Sequence, residues 1–296
     1  MVAPVPSFPS EEAWLNPSWK YQHPRSLQPL QTLLDLAYRI PPVINQFHTL
    51  VAARTPGRRE AQCHEIQLSW DRAWSIRCDI EAWKGRLEEN HRHRHPQESL
   101  YQTTFAAWDN RSVDPEEGRV GKIFPLAYIF SDLPIAASLT WYEAIQVCLA
   151  EYLIDMASHL RRSSEHPFSS GTEAQSPWPG HTDSPLLADP TSVISQLKQE
   201  ILDRTTRICQ SAEYFFAADK SLVGPICFLF PNGVAMRAFC QNDHQTSWSR
   251  CRDEVDALSD ERSRQISWCR MIESKYHAAK LEPYRGVLLD LQKQDY

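Results

Sequence analysis

Three histidines stand at alternate positions in the run from His91 to His95, and imidazole nitrogens commonly bind metal ions. If the segment is helical, residues two positions apart point in different directions, so the three rings cannot converge on one ion. An extended segment would align them, but no cysteine or paired carboxylate stands nearby to complete a ligand set. The pattern therefore favours a solvated, basic helix end before Pro96 over a metal or nucleic-acid site.

The eight cysteines also lack the spacing of a metal or redox centre. No Cys-x-x-Cys pair occurs, and Cys251 and Cys269 have no cysteine near either of them. Trp70, Trp74 and Trp83 stand at helical spacing, which is more typical of core or interface residues than of an aromatic ligand box. Neither group of residues predicts a cofactor.

Two acidic residues, Glu143 and Asp155, fall on a long apolar helical pattern, where a buried carboxylate needs a partner. We expect both at the solvent edge of that helix. Nucleophile-elbow, zinc-protease, phosphate-loop and dinucleotide-binding motifs are absent from the sequence, as are the aspartate pairs that hold magnesium against a diphosphate. The sequence thus predicts no catalytic, cofactor-binding or metal-ligating residue, and no enzyme.

Composition restricts the class of protein further. The chain has 296 residues, 42% of them hydrophobic, and a net charge of −6, which excludes global disorder and a chain dominated by phosphate binding. The N-terminus lacks the basic start and apolar run of a secretory signal, so we expect a reducing compartment, the nucleus or the cytosol. The apolar stretch from Phe124 to Tyr142 is broken by Pro125 and Pro134, and we expect a buried helix there rather than a membrane span.

The elements that position these residues are predicted to be helices. Nine glycines are too few for most β-rich folds, and apolar residues recur at three- and four-residue spacing. We predict an all-α fold of about eight to ten packed helices without a convincing strand, with an irregular region from His91 to Gly121. The predicted helices span about residues 27–40, 43–54, 60–90, 133–160, 190–215, 224–239, 246–259 and 261–279.

The predicted domain organisation has three parts. Residues 1–25 form an irregular N-terminal arm, residues 26–280 form one helical domain, and residues 281–296 form a C-terminal tail. Within the helical domain, the Ser/Pro-rich stretch 163–190 is predicted to be a disordered, flexible loop because it lacks apolar periodicity.

Residues 201–240 resemble the C-terminal regulatory region of fungal binuclear zinc-cluster (six-cysteine) transcription factors. That family shows an Ile-Cys-x-Ser-x-x-Tyr-like helix, a glycine, a Phe-Pro turn and an Ala-rich helix. Two upstream stretches, 66–87 and 129–144, are similar to helices of the family, and residues 248–258 are similar to its short closing helix. The matching signature positions are Ile208, Cys209, Ser211, Tyr214, Gly224, Phe230, Pro231 and Ala235.

The resemblance covers about residues 27–270 and implies a nuclear regulator of transcription, in this family often one that controls a secondary-metabolite gene cluster. The paired Cys-x2-Cys-x6-Cys array that holds the family's DNA-binding zinc ions is absent from the sequence, which argues against direct DNA binding. The implied partners are other proteins, either a DNA-binding regulator or a second copy, and a small-molecule inducer is a further candidate. The alternatives are an all-α biosynthetic enzyme in which Glu143, Asp155 or the histidines converge, and a cytoplasmic scaffold.

Overall fold

Helices account for most of the described chain. The computed structural model describes residues 28–53, 59–107, 111–113, 120–122, 124–164, 190–220, 223–240 and 265–274. Residues 265–274 are helical, and a short 3-10 helix spans Ala218–Lys220. The α-helices are α1 (Gln28–Ala37), α2 (Ile40–Ala52), α3 (Arg59–Arg94), α4 (Leu133–Ser164), α5 (Pro190–Phe215) and α6 (Val223–Cys240).

The predicted helical class is confirmed, but the predicted count of eight to ten helices is not. The described residues contain the six bounded helices and the helical segment 265–274, which lies inside the helix predicted for 261–279. The predicted arm 1–25, the helix 246–259, the tail 281–296 and most of the loop 163–190 lie outside the described residues. The division into domains stays a prediction.

The expectation that the chain has no strands is wrong. Two antiparallel ladders interrupt the helices, one between β1 (Tyr101–Phe105) and β4 (Leu126–Phe130), the other between β2 (Arg111–Val113) and β3 (Val120–Lys122). All five residues of β1 are exposed, so its sequence has no apolar alternation to reveal a strand. β4 lies in the apolar stretch for which the sequence predicts a buried helix, and its paired residues in β1 are 21 to 29 positions away in sequence.

The first two helices show how the structure uses a Pro-Pro pair. The predicted helices 27–40 and 43–54 leave Pro41-Pro42 between them as a break. Instead, α1 ends at Ala37 and the prolines lie in the first turn of α2, where a missing N–H leaves no helical hydrogen bond unmade.

Helix α4 is the centre of the fold, because it packs against α1, α3, α5 and α6. The predicted apolar stripe of α3 is confirmed, and it forms one core with α1, α2 and the second half of α4. A second core joins the first half of α4 to α5, α6, β4 and the segment 265–274. The buried residues of the α3 stripe are Ile66, Trp70, Ala73, Ile76, Ile80 and Trp83.

The apolar stretch from Phe124 to Tyr142 is divided between β4 and the start of α4. Within the described residues, two helices are long and apolar enough to cross a membrane: residues Leu133–Arg162 of α4 and Val223–Cys240 of α6. The apolar part of α4 is mostly buried inside the protein, as core helices are. On α6, half of the corresponding residues are buried, and the exposed ones include the surface described next.

Candidate functional site

Seven of the eight signature residues are buried on helices α5 and α6, which pack against each other. On α5 these are Ile208, Cys209, Ser211 and Tyr214, and on α6 they are Gly224, Pro231 and Ala235. Phe230 differs from the other seven, because 40% of it is exposed. The signature therefore consists mainly of packing residues, and one of its members reaches the surface.

The signature glycine lies where α6 begins against the end of α5. A Cβ atom at Gly224 would collide with the backbone oxygen of Phe215 and would lie 2.8 Å from the Cβ of Lys220. Backbone atoms cannot move aside as a flexible side chain can, so a larger residue at this position would push the two helices apart.

The signature proline explains a hydrogen bond between α4 and α6. Pro231 lies inside α6 and has no N–H to donate to the carbonyl oxygen of Cys227, four residues earlier. The indole Nε1 of Trp141 on α4 donates to that oxygen at 2.8 Å. The ring of Trp141 also contacts the ring of Phe230, with centroids 4.8 Å apart. The contact between α4 and the Phe-Pro pair thus replaces the helical hydrogen bond that the proline removes.

The outer side of α6 carries a contiguous apolar surface, which we call the α6 face. It consists of Val223, Ile226, Leu229 and Phe230, which are between 36% and 54% exposed. No charged residue occurs between Val223 and Met236. Space is open around the Cα atom of Gly233, which follows Phe230 by three residues on the same side of the helix. Clustered exposed apolar side chains of this kind are typical of interaction sites.

A buried arginine on α5 joins three helices. Arg204 of α5 donates to Glu81 of α3 at 2.6 Å, to Glu143 of α4 at 2.7 Å and to Glu200 of α5 at 2.5 Å. Its side chain is only 8% exposed, so these charge-assisted hydrogen bonds are sheltered from water. We call these four residues the Arg204 cluster.

Two further arginines neutralise the carboxylates of the Arg204 cluster, and a tyrosine hydroxyl donates a hydrogen bond to it. Arg207 donates to Glu143 at 3.0 Å, and Arg77 donates to Glu200 at 2.5 Å. The hydroxyl of Tyr142 donates to Glu81 at 2.6 Å, while the guanidinium of Arg204 lies 5.1 Å from the centre of the Tyr142 ring. Each carboxylate therefore accepts hydrogen bonds from at least two donors.

The protonation states follow from these contacts. Burial alone would lower the pKa of Arg204, but the charge of Glu143 and of the other acidic neighbours outweighs burial and raises that pKa. Burial alone would raise the pKa of Glu200, but the hydrogen bond from Arg77 and the charge of Arg204 hold that pKa below its usual value. Burial is also the main reason that the pKa of the Tyr142 hydroxyl is raised. Arg204 and Glu200 are thus ionised at neutral pH.

A second ion pair fixes α6 to α4. Arg237 donates to Glu151 at 2.6 Å and lies 3.1 Å from the sulfur of Cys148. Burial raises the pKa of Glu151, although the charge of Arg237 works in the opposite direction. Glu151 is 15% exposed, and Arg237 is the cation that neutralises it.

The histidine run forms the helix end that the sequence predicts, although one of its rings is half-buried instead of solvated. Residues 91–94 form the last turn of α3, and the backbone N–H of His95 donates to the oxygen of His91 at 2.8 Å. The side chains of His93 and His95 are more than half exposed, whereas His91 is half-buried. Among the residues that the structure describes, no three His, Cys, Asp or Glu side chains are grouped closely enough to hold a metal ion.

The tryptophans also occupy the expected places. Trp70 and Trp83 are buried in the core under α3, and Trp74 is half-buried with its ring stacked on that of Trp70 at 5.8 Å. Seven of the eight cysteines lie in the described residues and are free thiols, while Cys251 lies outside them.

The residues that the enzyme alternative names lie in three separate places. Glu143 lines a cavity of about 210 Å³ with Arg204, and its carboxylate is paired on both oxygens. Asp155 is exposed on α4, twelve residues or roughly 18 Å further along the helix. His91 and His95 line a different cleft. The expectation for Asp155 is confirmed, but that for Glu143 is wrong, since the side chain of Glu143 is only 12% exposed.

Sequence reasoning did not identify the Arg204 cluster. A signal was present, because Arg204 follows Leu197 by seven residues and Ile201 by three, which places a charge on the buried stripe of α5. A charge on such a stripe calls for partners on neighbouring helices, but no local pattern in the sequence indicates Glu81 or Glu143 as those partners.

Comparison with known proteins gives this chain no relative: no family model, no curated protein and no solved structure matches it.

Proposed function

We propose that this chain is a regulatory protein that acts by binding another protein through the α6 face, without a chemical step. The observation that carries the proposal is the α6 face itself, an uncharged apolar surface beside the signature Phe-Pro pair. The resemblance to fungal zinc-cluster regulators supports a role in transcription and a nuclear location. Control of a secondary-metabolite gene cluster belongs to the same proposal.

The partner that fits the α6 face is a second copy of the chain. In a twofold dimer, the same surface of each copy contacts that of the other. A side chain that projects from this surface must therefore find space for itself on the identical surface of the second copy. Phe230 is 40% exposed, and the open space around Gly233 lies one turn away on the same side of α6. Antiparallel packing of two α6 helices would place each Phe230 against the Gly233 of the other copy.

The energy available is of the right order for such an association. Burying an exposed side chain of this size contributes about 1.5–3 kcal/mol, and the four side chains are about half exposed. Completing their burial would then contribute about 1 kcal/mol each on either copy. That sum is offset in part by the entropy lost on association, so we expect a reversible dimer whose affinity depends on these residues.

A reporter assay tests the proposal. The full chain is fused to a foreign DNA-binding domain, and reporter transcription in nuclei is compared with that from the DNA-binding domain alone. We expect the fusion to change reporter output, and Ile226→Glu to abolish the change because it places a charge in the α6 face. Ile129→Glu is the matched control, since Ile129 is 51% exposed and Ile226 is 49% exposed.

Light scattering on the purified chain separates association from transcription. A dimer that Ile226→Glu converts to monomer, while Ile129→Glu leaves it intact, supports the α6 face as the interface. A soluble, nuclear fusion that leaves the reporter unchanged under inducing conditions would refute the role in transcription. Dimerisation without a reporter effect would favour the cytoplasmic scaffold instead.

A further inference from the structure

A cleft of about 500 Å³ lies between the end of α3, the start of α4 and the start of α1. We call it the α3–α4 cleft. Pockets that hold small molecules usually measure ~300–1,000 Å³, so it has the right size for one. Its lining is divided into a cationic part from the last turns of α3 and an apolar part on both helices.

The cationic part has two arginines whose charges are not neutralised within the described residues. Arg86, Asn90 and Arg94 follow one another at intervals of four, which places them on one side of α3 over roughly 12 Å. Neither guanidinium has a hydrogen bond or ion pair in the part of the chain that the structure describes. Two exposed cations on one wall of a cleft attract an anionic group.

The two acidic residues in the lining are engaged by other groups. Asp132 accepts a hydrogen bond from the backbone N–H of Ile135 at 2.7 Å and so caps the start of α4. Glu98 lies 3.7 Å from the imidazole of His95. Each acid thus has a contact within the protein, whereas neither arginine has one among the described residues.

A buried, unsatisfied nitrogen lies in the same wall. The Nε2 atom of His91 is buried and has no hydrogen-bond partner among the described residues, although His91 lines the cleft. Polar atoms that are buried in proteins nearly always have a partner, so an orphaned one calls for an explanation. A ligand oxygen in the cleft would supply that partner.

The apolar part of the lining limits the chemistry of the ligand. Trp83 and Leu87 of α3 face the cleft together with Ile135 of α4. A fully polar anion such as inorganic phosphate would leave this part without contacts, whereas a hydrocarbon or aromatic body would cover it.

We propose that the α3–α4 cleft binds a small organic carboxylate. The carboxylate lies against Arg86, Arg94 and the Nε2 atom of His91, and the apolar body of the ligand lies against the side chains of Trp83, Leu87 and Ile135. The site is independent of the α6 face, so the two proposals are tested separately.

Isothermal titration calorimetry on the full chain tests the site with three probes: 4-phenylbutyrate, the neutral 4-phenylbutyramide and inorganic phosphate. We expect the carboxylate to bind at least about tenfold more tightly than the amide, because hydrogen bonds to an ionised group are stronger. Phosphate, which has no apolar body, should bind more weakly than the carboxylate.

Arginine variants locate the binding site. Arg86→Gln and Arg94→Gln should each weaken 4-phenylbutyrate binding by about tenfold, since each removes one charged donor. Arg92→Gln is the matched control, because Arg92 is exposed on the same turn of α3 but does not line the cleft. The variants change exposed residues, and unaltered helical circular dichroism would show that they fold.

Several outcomes would overturn the proposal. They are an amide that binds as well as the carboxylate, a phosphate affinity equal to that of 4-phenylbutyrate, equal effects of the Arg92 and Arg94 variants, and no heat of binding at millimolar carboxylate. Binding that requires the charge, the apolar body and both cleft arginines would support it.

Discussion

Replacing Arg204 by methionine tests whether the Arg204 cluster stabilises the fold. Methionine is similar in length and fills most of the same space, so the main loss in Arg204→Met is that of the charge and its donors. The substitution takes one cation from three carboxylates on α3, α4 and α5.

The remaining contacts of the three carboxylates set the expected loss of stability in Arg204→Met. Removing one partner of a buried ion pair costs ~3–5 kcal/mol, because the other charge remains buried. After Arg204→Met, Glu143 keeps Arg207 at 3.0 Å and Glu200 keeps Arg77 at 2.5 Å, while the third carboxylate is 41% exposed. We therefore expect a loss near the lower end, about 3 kcal/mol of unfolding free energy.

The second ion pair gives a contrasting case. Arg237 forms fewer hydrogen bonds than Arg204, yet it is the cation that neutralises Glu151, whose side chain is 15% exposed. Arg237→Met leaves that carboxylate without its cation, so we expect a loss at the upper end, about 4–5 kcal/mol at neutral pH. The number of hydrogen bonds alone would instead predict the larger loss of stability for Arg204→Met.

Urea unfolding followed by circular dichroism at neutral pH measures these free energies. Arg39→Met is the control, because Arg39 and its partner Asp79 are both about half exposed (48% and 46%), and such surface pairs contribute ~0–1 kcal/mol. If Arg204→Met lost no more stability than Arg39→Met, the Arg204 cluster would not be the buried stabilising unit described above.

Three further predictions concern stability in urea unfolding. Gly224→Ala should lower the free energy of unfolding by about 1–3 kcal/mol, because the new Cβ atom meets the last backbone carbonyl of α5. Gly85→Ala lies in open space on α3 and should raise the free energy of unfolding by about 0.5–1 kcal/mol. Equal effects of the two variants would contradict the close approach at Gly224. Trp141→Phe should cost about 1–3 kcal/mol because it leaves the carbonyl of Cys227 without a donor, and no loss would show that this bond is unimportant. The pKa of Glu200 is lowered from 4.5 in the folded state. The ionised carboxylate of Glu200 therefore stabilises the fold above pH 4.5, and this stabilisation is lost as the pH falls through the folded-state pKa. Glu200→Gln should flatten the decline of stability below pH 4.5, and an unchanged decline would contradict that shift.

The structure links three features that are far apart in sequence. The signature proline of α6, the tryptophan of α4 and the α6 face meet at one place, because Pro231 leaves a carbonyl for Trp141 and the Trp141 ring supports Phe230. Trp141→Phe is therefore expected to affect the α6 face as well as stability. The reporter and light-scattering assays apply to this variant without change.

Local patterns in the sequence determined the helical class and the buried side of the long helices. The stripe from Ile66 to Trp83 repeats every three and four residues, and such a stripe is stable only as a helix with that side buried. The same reasoning placed the histidine run at a helix end, because Pro96 follows it and basic residues favour that end.

Tertiary structure decided the elements whose partners are distant in the chain. β1 has no alternation of buried and exposed residues, and the strand exists through its pairing with β4. Glu143 lies 61 residues and Glu81 123 residues from Arg204, and only the packing of α3, α4 and α5 brings the three charges together. Periodicity is a property of neighbouring residues, whereas ion pairs, clefts and exposed faces depend on which helices pack together, and that is decided by the whole core.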